Sequence, residues 1–136
     1  MTEDIIRFRQ SRRVHINKFY NLLCECFPYF SYIQYRRIVC GKHFVGWVWG
    51  EDQNGIVLSC VAIFKRENGY KMGLFCTHPN RRRQNIGTRF YNHIKGIFNP
   101  LEWNAITPES IQFYNKIGAI NCGIVNGGEY TLFKSQ

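Results

Sequence analysis

Two Asn-Gly pairs constrain this chain more than any other feature. Asn54-Gly55 and Asn68-Gly69 separate three apolar runs, His43–Gly50, Val57–Phe64 and Tyr70–Thr77. Asn-Gly is the strongest short hairpin signal, because both residues tolerate positive φ. The three runs therefore read as an antiparallel meander. Val57–Phe64 is almost continuously apolar, which suits a central strand covered on both faces.

The flanking segments read differently. Ile5–Arg9 is a short apolar start and reads as a first strand. Ile16, Phe19, Tyr20, Leu23, Cys26 and Phe27 recur at helical spacing, which predicts a helix over Val14–Phe27, ended by Pro28. Phe30–Ile38 reads as a second, short helix. After the meander, Ile86, Phe90, Ile94 and Ile97 form the buried stripe of a helix reaching Phe98. Asn99-Pro100 stops it, and Leu101–Ile106 reads as a strand. Thr107-Pro108-Glu109 opens another helix: threonine caps, proline takes the first helical position, and glutamate sits at the positive end of the dipole. Ile111, Tyr114 and Ile117 are its apolar stripe and Gly118 its C-cap. Ala119–Asn126 and Glu129–Phe133 form a last hairpin around Asn126-Gly127-Gly128. The expected class is α/β (α+β): one domain over 1–136, a mixed sheet, in the order β-α-α-β-β-β-α-β-α-β-β.

Composition excludes several alternatives. A hydrophobic fraction of 45% is too apolar for a disordered chain. No apolar run approaches the roughly 18 residues of a membrane span. Met1-Thr2-Glu3-Asp4 leads into Arg7, Arg9, Arg12 and Arg13, which is not the pattern of a secretion signal. A soluble, cytoplasmic protein without a membrane partner is the expectation. Its six cysteines are then expected as thiols. They contain no CxxC, and Cys24-x-Cys26 lacks a matching second pair, so no metal site is expected. A formal charge of +9 points to a partner bearing phosphates, either nucleic acid or a small phosphorylated ligand.

The densest chemical signal is Cys76-Thr77-His78-Pro79-Asn80-Arg81-Arg82-Arg83-Gln84-Asn85-Ile86-Gly87-Thr88. A strand ends, a proline breaks it, a basic turn follows and a helix begins. The first turn of a helix offers unpaired N–H groups and partial positive charge to an anion. Gly87 permits close backbone approach, and the arginines add bidentate donors. The segment reads as a pyrophosphate cradle, although charge alone favours a solvated turn that caps a helix.

Here the sequence resembles the GNAT N-acetyltransferase superfamily. The family's central motif, roughly Val-x-Pro-x-x-Arg/Gln-x-x-Gly-x-Gly/Ala, is matched by Thr77-x-Pro79-x-x-Arg82-x-x-Asn85-x-Gly87, with Asn85 in place of the first glycine. A second motif, Asn-x-x-Ala-x-x-x-Tyr-x-x-x-Gly-Phe, is matched by Thr107 to Ala119. Its Phe113-Tyr114-x-x-x-Gly118 core is intact, while Thr107 replaces asparagine and Ala119 replaces phenylalanine. The resemblance implies acetyl-coenzyme A as cofactor, with Cys76 and Thr77 pairing with its pantetheine arm. It places the pyrophosphate on the segment holding Arg82, Arg83, Gln84, Asn85, Ile86, Gly87 and Thr88.

It also implies attack of an amine on the thioester, with Tyr114 protonating the departing thiolate and a backbone N–H stabilising the oxyanion. For the base, His78, Glu51, Asp52 and water are the candidates. The acceptor pocket would lie between the first two helices and the final hairpin, near Tyr29, Phe30, Tyr32, Tyr35 and Tyr130. The expected partners are the cofactor and an amine acceptor, with no sequence-specific nucleic acid; a homodimer stays open. Two rivals also stay open. One is a nucleic-acid module using Arg36, Arg37 and Arg81–Arg83. The other is a catalytically silent protein of the same fold, since the Thr107–Gly118 helix is also similar to GNAT-like proteins of phage particles.

Overall fold

The computed structural model describes residues 5–79 and 85–136. The strands are β1 (Arg7–Ser11), β2 (Phe44–Glu51), β3 (Val57–Arg66), β4 (Gly69–Thr77), β5 (Leu101–Ala105), β6 (Ile120–Val125) and β7 (Tyr130–Lys134). The helices are α1 (Tyr20–Cys26), α2 (Tyr32–Val39), α3 (Ile86–Ile97) and α4 (Pro108–Lys116). All strands join one sheet in the order β1-β2-β3-β4-β5-β7-β6. Every neighbouring pair is antiparallel except β4 and β5, which run parallel. The mixed α+β class and the element order are those expected from the sequence.

Two hydrophobic layers sandwich the sheet. Val61, Ile63 and Met72 face α3 and α4, packing with Phe90, Tyr91, Ile94, Trp103, Tyr114 and Phe133. Cys60, Ala62, Trp47 and Trp49 face the other way, toward Phe19, Leu23, Phe30 and Tyr35 of the N-terminal helical region. Alternate residues of β3 thus serve opposite layers, as a central strand covered on both faces requires.

Several boundaries differ from the sequence reading. The first strand is displaced two residues, to Arg7–Ser11. The single helix expected over Val14–Phe27 is broken: a short 3-10 turn covers Ile16–Lys18, capped by His15, and α1 starts only at Tyr20. The second helix starts at Tyr32 and not at Phe30, because Ser31 and Gln34 close a capping box. On α3, Ile97 is 46% exposed and Tyr91 takes its expected place in the core. Thr107 caps α4 as read, its Oγ1 accepting from the Ser110 N–H at 3.2 Å. Gly118 adopts φ 84° just after α4. In the β2–β3 hairpin Gly55 has φ 78°.

Candidate active site

The site begins with what β4 fails to do. Its first half pairs on both sides: Tyr70 and Lys71 register with Leu101 and Glu102 of β5, and Ile63 and Phe64 of β3 lie opposite Met72 and Lys71. Gly69 allows this close start, because a Cβ there would lie 2.5 Å from the Pro100 carbonyl oxygen. Beyond Lys71 the ladder to β5 stops. On the β3 side the register jumps from Ala62–Gly73 to Cys60–Cys76, so Leu74 and Phe75 both oppose Val61. This is a β-bulge, and Leu74 takes φ 57° within it. A leucine in the left-handed region carries strain of order 1–3 kcal/mol, which persists only where packing over-determines it. Leu74 packs against the N-terminal helical layer and Phe75 against the α3/α4 layer.

A cleft of about 1190 Å³ opens along this half-strand. Its floor is Leu74, Phe75, Cys76 and Thr77. One wall is the start of α3 (Asn85, Gly87, Thr88) with α4 (Thr107, Glu109, Ser110, Phe113, Tyr114, Lys116, Ile117). The opposite wall is the segment joining α1 and α2, with Cys26, Phe27, Pro28, Tyr29 and Phe30, continued by Gln34, Arg37 and Ile38. Glu109 is the lone carboxylate among the described lining residues, against the cations of Arg37 and Lys116.

The sequence-predicted site residues divide clearly. Cys76, Thr77, Asn85, Gly87, Thr88 and Tyr114 meet on this cleft. Arg82, Arg83 and Gln84 lie outside the described residues. Ile86 is fully buried and does not line the cleft, so this structure does not bring it to the site. Asn85 is the N-cap of α3 at φ 56°, ψ 26°, a left-handed conformation that asparagine tolerates where a glycine was expected. Gly87 has a structural reason beside the one read from sequence: a Cβ there would stand 3.2 Å from the Phe113 ring and 3.4 Å from Thr77 Oγ1. Its missing side chain lets α3 close on α4.

Tyr114 is both a core aromatic and a lining residue. Its ring is 5% exposed and packs on Phe75, Trp103, Phe113 and Phe133. Burial, helped by neighbouring Tyr91 and Cys76, pushes the phenol far above its ordinary value. The hydroxyl therefore keeps its proton across the neutral range. Burial likewise pushes the Cys76 thiol up, so it is a poor nucleophile toward a thioester.

None of the side chains read as candidate bases lines the cleft. Glu51 is tied to Arg9, to Lys18 at 3.7 Å and to the Trp49 indole N–H at 3.1 Å. Burial alone would raise its carboxyl, but the hydrogen bonds from Arg9 and Trp49 and the charges of Arg9 and Lys18 outweigh this and hold it low. Asp52 Oδ1 accepts from the N–H groups of Asn54 and Ile56, which shapes the β2–β3 turn. His78 donates its backbone N–H to the Leu58 carbonyl. Of the five aromatics expected around an acceptor, Tyr29 and Phe30 line the cleft, whereas Tyr32, Tyr35 and Tyr130 do not. Tyr35 is stacked on Trp47 and donates its hydroxyl to the Val14 carbonyl. The final hairpin contributes no described lining residue.

The bulge at Leu74 was missed by sequence reasoning. Leucine does not favour positive φ, and only the adjacent Gly73 hints at an irregularity. The Cys26–Phe27 contribution was missed as well, because those residues read only as the end of an amphipathic helix.

Neither protein-family models nor curated protein sequences give a match to this chain. Solved structures do. A GNAT-family acetyltransferase from Staphylococcus aureus superposes with TM-score 0.73 at 8% identity, covering 96% of this chain and 98% of that one. An aminoglycoside 6′-N-acetyltransferase complexed with coenzyme A gives TM-score 0.74 at 12% identity, covering 94% of each chain. The ribosomal-protein-S18-alanine N-acetyltransferase of Escherichia coli gives 0.70 at 13% identity, covering 96% of this chain and 91% of that one. The chain therefore has the fold of the GNAT N-acetyltransferases. No helix among the described residues is long and apolar enough to cross a membrane.

Proposed function

We propose that this chain is a GNAT-family N-acetyltransferase that binds acetyl-coenzyme A and acetylates an amine. The observation that carries the reading is the splayed half of β4: a bulged strand, unpaired toward β5, lying along a cleft that also meets the start of α3. A free strand edge offers backbone N–H and C=O groups to an amide-bearing ligand, much as an added strand would. The cleft is also large against ordinary small-molecule sites of about 300–1,000 Å³.

The donor set fits the cofactor. Backbone groups of Leu74–Thr77 would hold the pantetheine arm. The amides of Asn85, Gly87 and Thr88, with Arg82, Arg83 and Gln84, would take the pyrophosphate. When bound, the cofactor supplies an acetyl group activated as a thioester. Tyr114 holds a proton at Oη and is the acid of the cleft. A bulge N–H at Leu74 or Phe75 is suited to an oxyanion, since the bulge frees it from the regular ladder. With Glu51, Asp52 and His78 off the cleft, the acceptor's proton leaves through water at the open mouth. The acceptor approaches from the α1–α2 wall, past Tyr29 and Phe30. Arg37 on that wall disfavours a polycation.

The test is titration calorimetry with acetyl-coenzyme A, followed by a thiol-release assay over a panel of amines. Binding with turnover supports the proposal. A folded protein that binds no cofactor contradicts it. Binding without turnover on any amine favours a silent protein of this fold, and tight duplex binding in its place favours the nucleic-acid module.

A further inference from the structure

Three thiols meet under the cleft, and the acetyl-transfer reading uses none of their sulfurs. Cys60 of β3 and Cys76 of β4 are direct register partners, and their Sγ atoms lie 3.3 Å apart. Both are buried, at 0% and 4% exposure. Cys26, the last residue of α1, is half-buried and lines the cleft. Its thiol hydrogen-bonds with Cys76 and lies 3.5 Å from the Thr77 carbonyl oxygen. Directly opposed residues of an antiparallel pair have Cα atoms about 4.5–5.5 Å apart, inside the roughly 4.4–6.8 Å that a disulfide spans. Among the described residues no cluster of three or more His, Cys, Asp or Glu is arranged to hold a metal ion.

We propose that Cys26, Cys76 and Cys60 form a peroxide-oxidisable thiol relay, in which Cys26 is oxidised first and the disulfide comes to rest between Cys60 and Cys76. Cys26 is the most open of the three, and the buried Cys76 keeps its proton. A hydroperoxide oxidises the Cys26 sulfur to a sulfenic acid, releasing water when the oxidant is hydrogen peroxide. The Cys76 sulfur then displaces the hydroxyl, which leaves as water with the Cys76 proton, and a Cys26–Cys76 disulfide forms. Cys60 attacks Cys76, its proton passes to the Cys26 sulfur, and Cys26 returns to the thiol. Two hydrogens have left the protein and one peroxide has been reduced to two waters. This chemistry needs neither cofactor nor acceptor, so it stands or falls separately from the acetyl-transfer reading.

The test treats the whole chain with one equivalent of hydrogen peroxide, unfolds it in alkylating agent, and maps the tryptic peptides by mass spectrometry. Cys60 falls in His43–Lys65 and Cys76 in Met72–Arg81, while Cys26 shares Phe19–Arg36 with Cys24, so fragment-ion spectra of that peptide separate a Cys26 link from a Cys24 link. The relay predicts a mass lower by about 2 Da and a link between His43–Lys65 and Met72–Arg81. Cys26→Ser, a change at a half-buried site, should slow that link by on the order of 10-fold or more. Oxidation confined to the exposed Cys40 and Cys122 overturns the proposal. So does a Cys26–Cys76 link that persists, or an undiminished rate in Cys26→Ser.

Discussion

The two halves of β4 share one strand and one neighbour in β3, yet they behave oppositely. At Tyr70 and Lys71 the strand is paired on both sides, and the following Met72, opposite Ile63 of β3, is 1% exposed. From Leu74 to Thr77 it bulges, loses its partner in β5 and floors the cleft. The first half is what a sheet does by default. The second half gives up ladder hydrogen bonds and accepts a leucine at φ 57°, departures that ordinary folding does not reward. Such departures gather at functional sites, where the surrounding fold supports them.

The comparison is broken most sharply at Tyr114, which leans over the open half. Tyr114→Phe keeps the ring among Phe75, Trp103 and Phe133 and removes only the proton donor. Turnover is expected to fall by roughly 10²–10⁴-fold, with cofactor affinity little changed. An undiminished rate removes Tyr114 from the chemistry, and a mutant that fails to fold leaves it a core aromatic only. In the paired half, Met72→Ala is expected to cost about 2–5 kcal/mol of stability by opening a cavity. Denaturant unfolding measures that cost, and cofactor affinity of the folded fraction should stay within a few-fold of the parent.

A smaller effect comes from behind the open half. Glu51 ends β2, and Gly50 beside it registers with Ser59, which in turn opposes Thr77. Its carboxyl is held below the usual range, so its contribution is complete above the unfolded value near 4.3 and is lost as pH falls through the lower folded value. Glu51→Gln should therefore destabilise by on the order of 1 kcal/mol at neutral pH. The gap to the parent should narrow as unfolding curves are taken to acid, and a gap constant with pH would show that the Arg9 and Lys18 pairing carries no charge-dependent stability.

Much of the fold was legible because local signals agreed with it. Asn54-Gly55 marked a hairpin, the buried β3 run marked a central strand, and Thr107-Pro108 marked the start of α4. The break between the 3-10 turn and α1 was not legible, because Phe19 and Tyr20 continue the helical stripe across it. The α3/α4 wall was readable because its glycine and helix-start residues are local requirements. The opposite wall was read only in part, at Tyr29 and Phe30, because the rest depends on how the α1–α2 segment lands on β4. The bulge was hidden for the same reason. It is imposed by β3 and the two layers, and apart from Gly73 no residue in Gly73–Thr77 hints at it. The carboxylates read as candidate bases show the converse error: Glu51 and Asp52 have the right chemistry and are committed to holding the sheet end and the hairpin turn.

The central claim is that the open half of β4 and the start of α3 receive acetyl-coenzyme A together. Backbone amide resonances followed by NMR during a cofactor titration test it directly. The account predicts saturable shifts at Leu74–Thr77 and at Asn85–Thr88, with Tyr70–Met72 nearly unmoved. Shifts absent from a folded protein at saturating cofactor, or spread over the paired half and sparing the bulge, would contradict it.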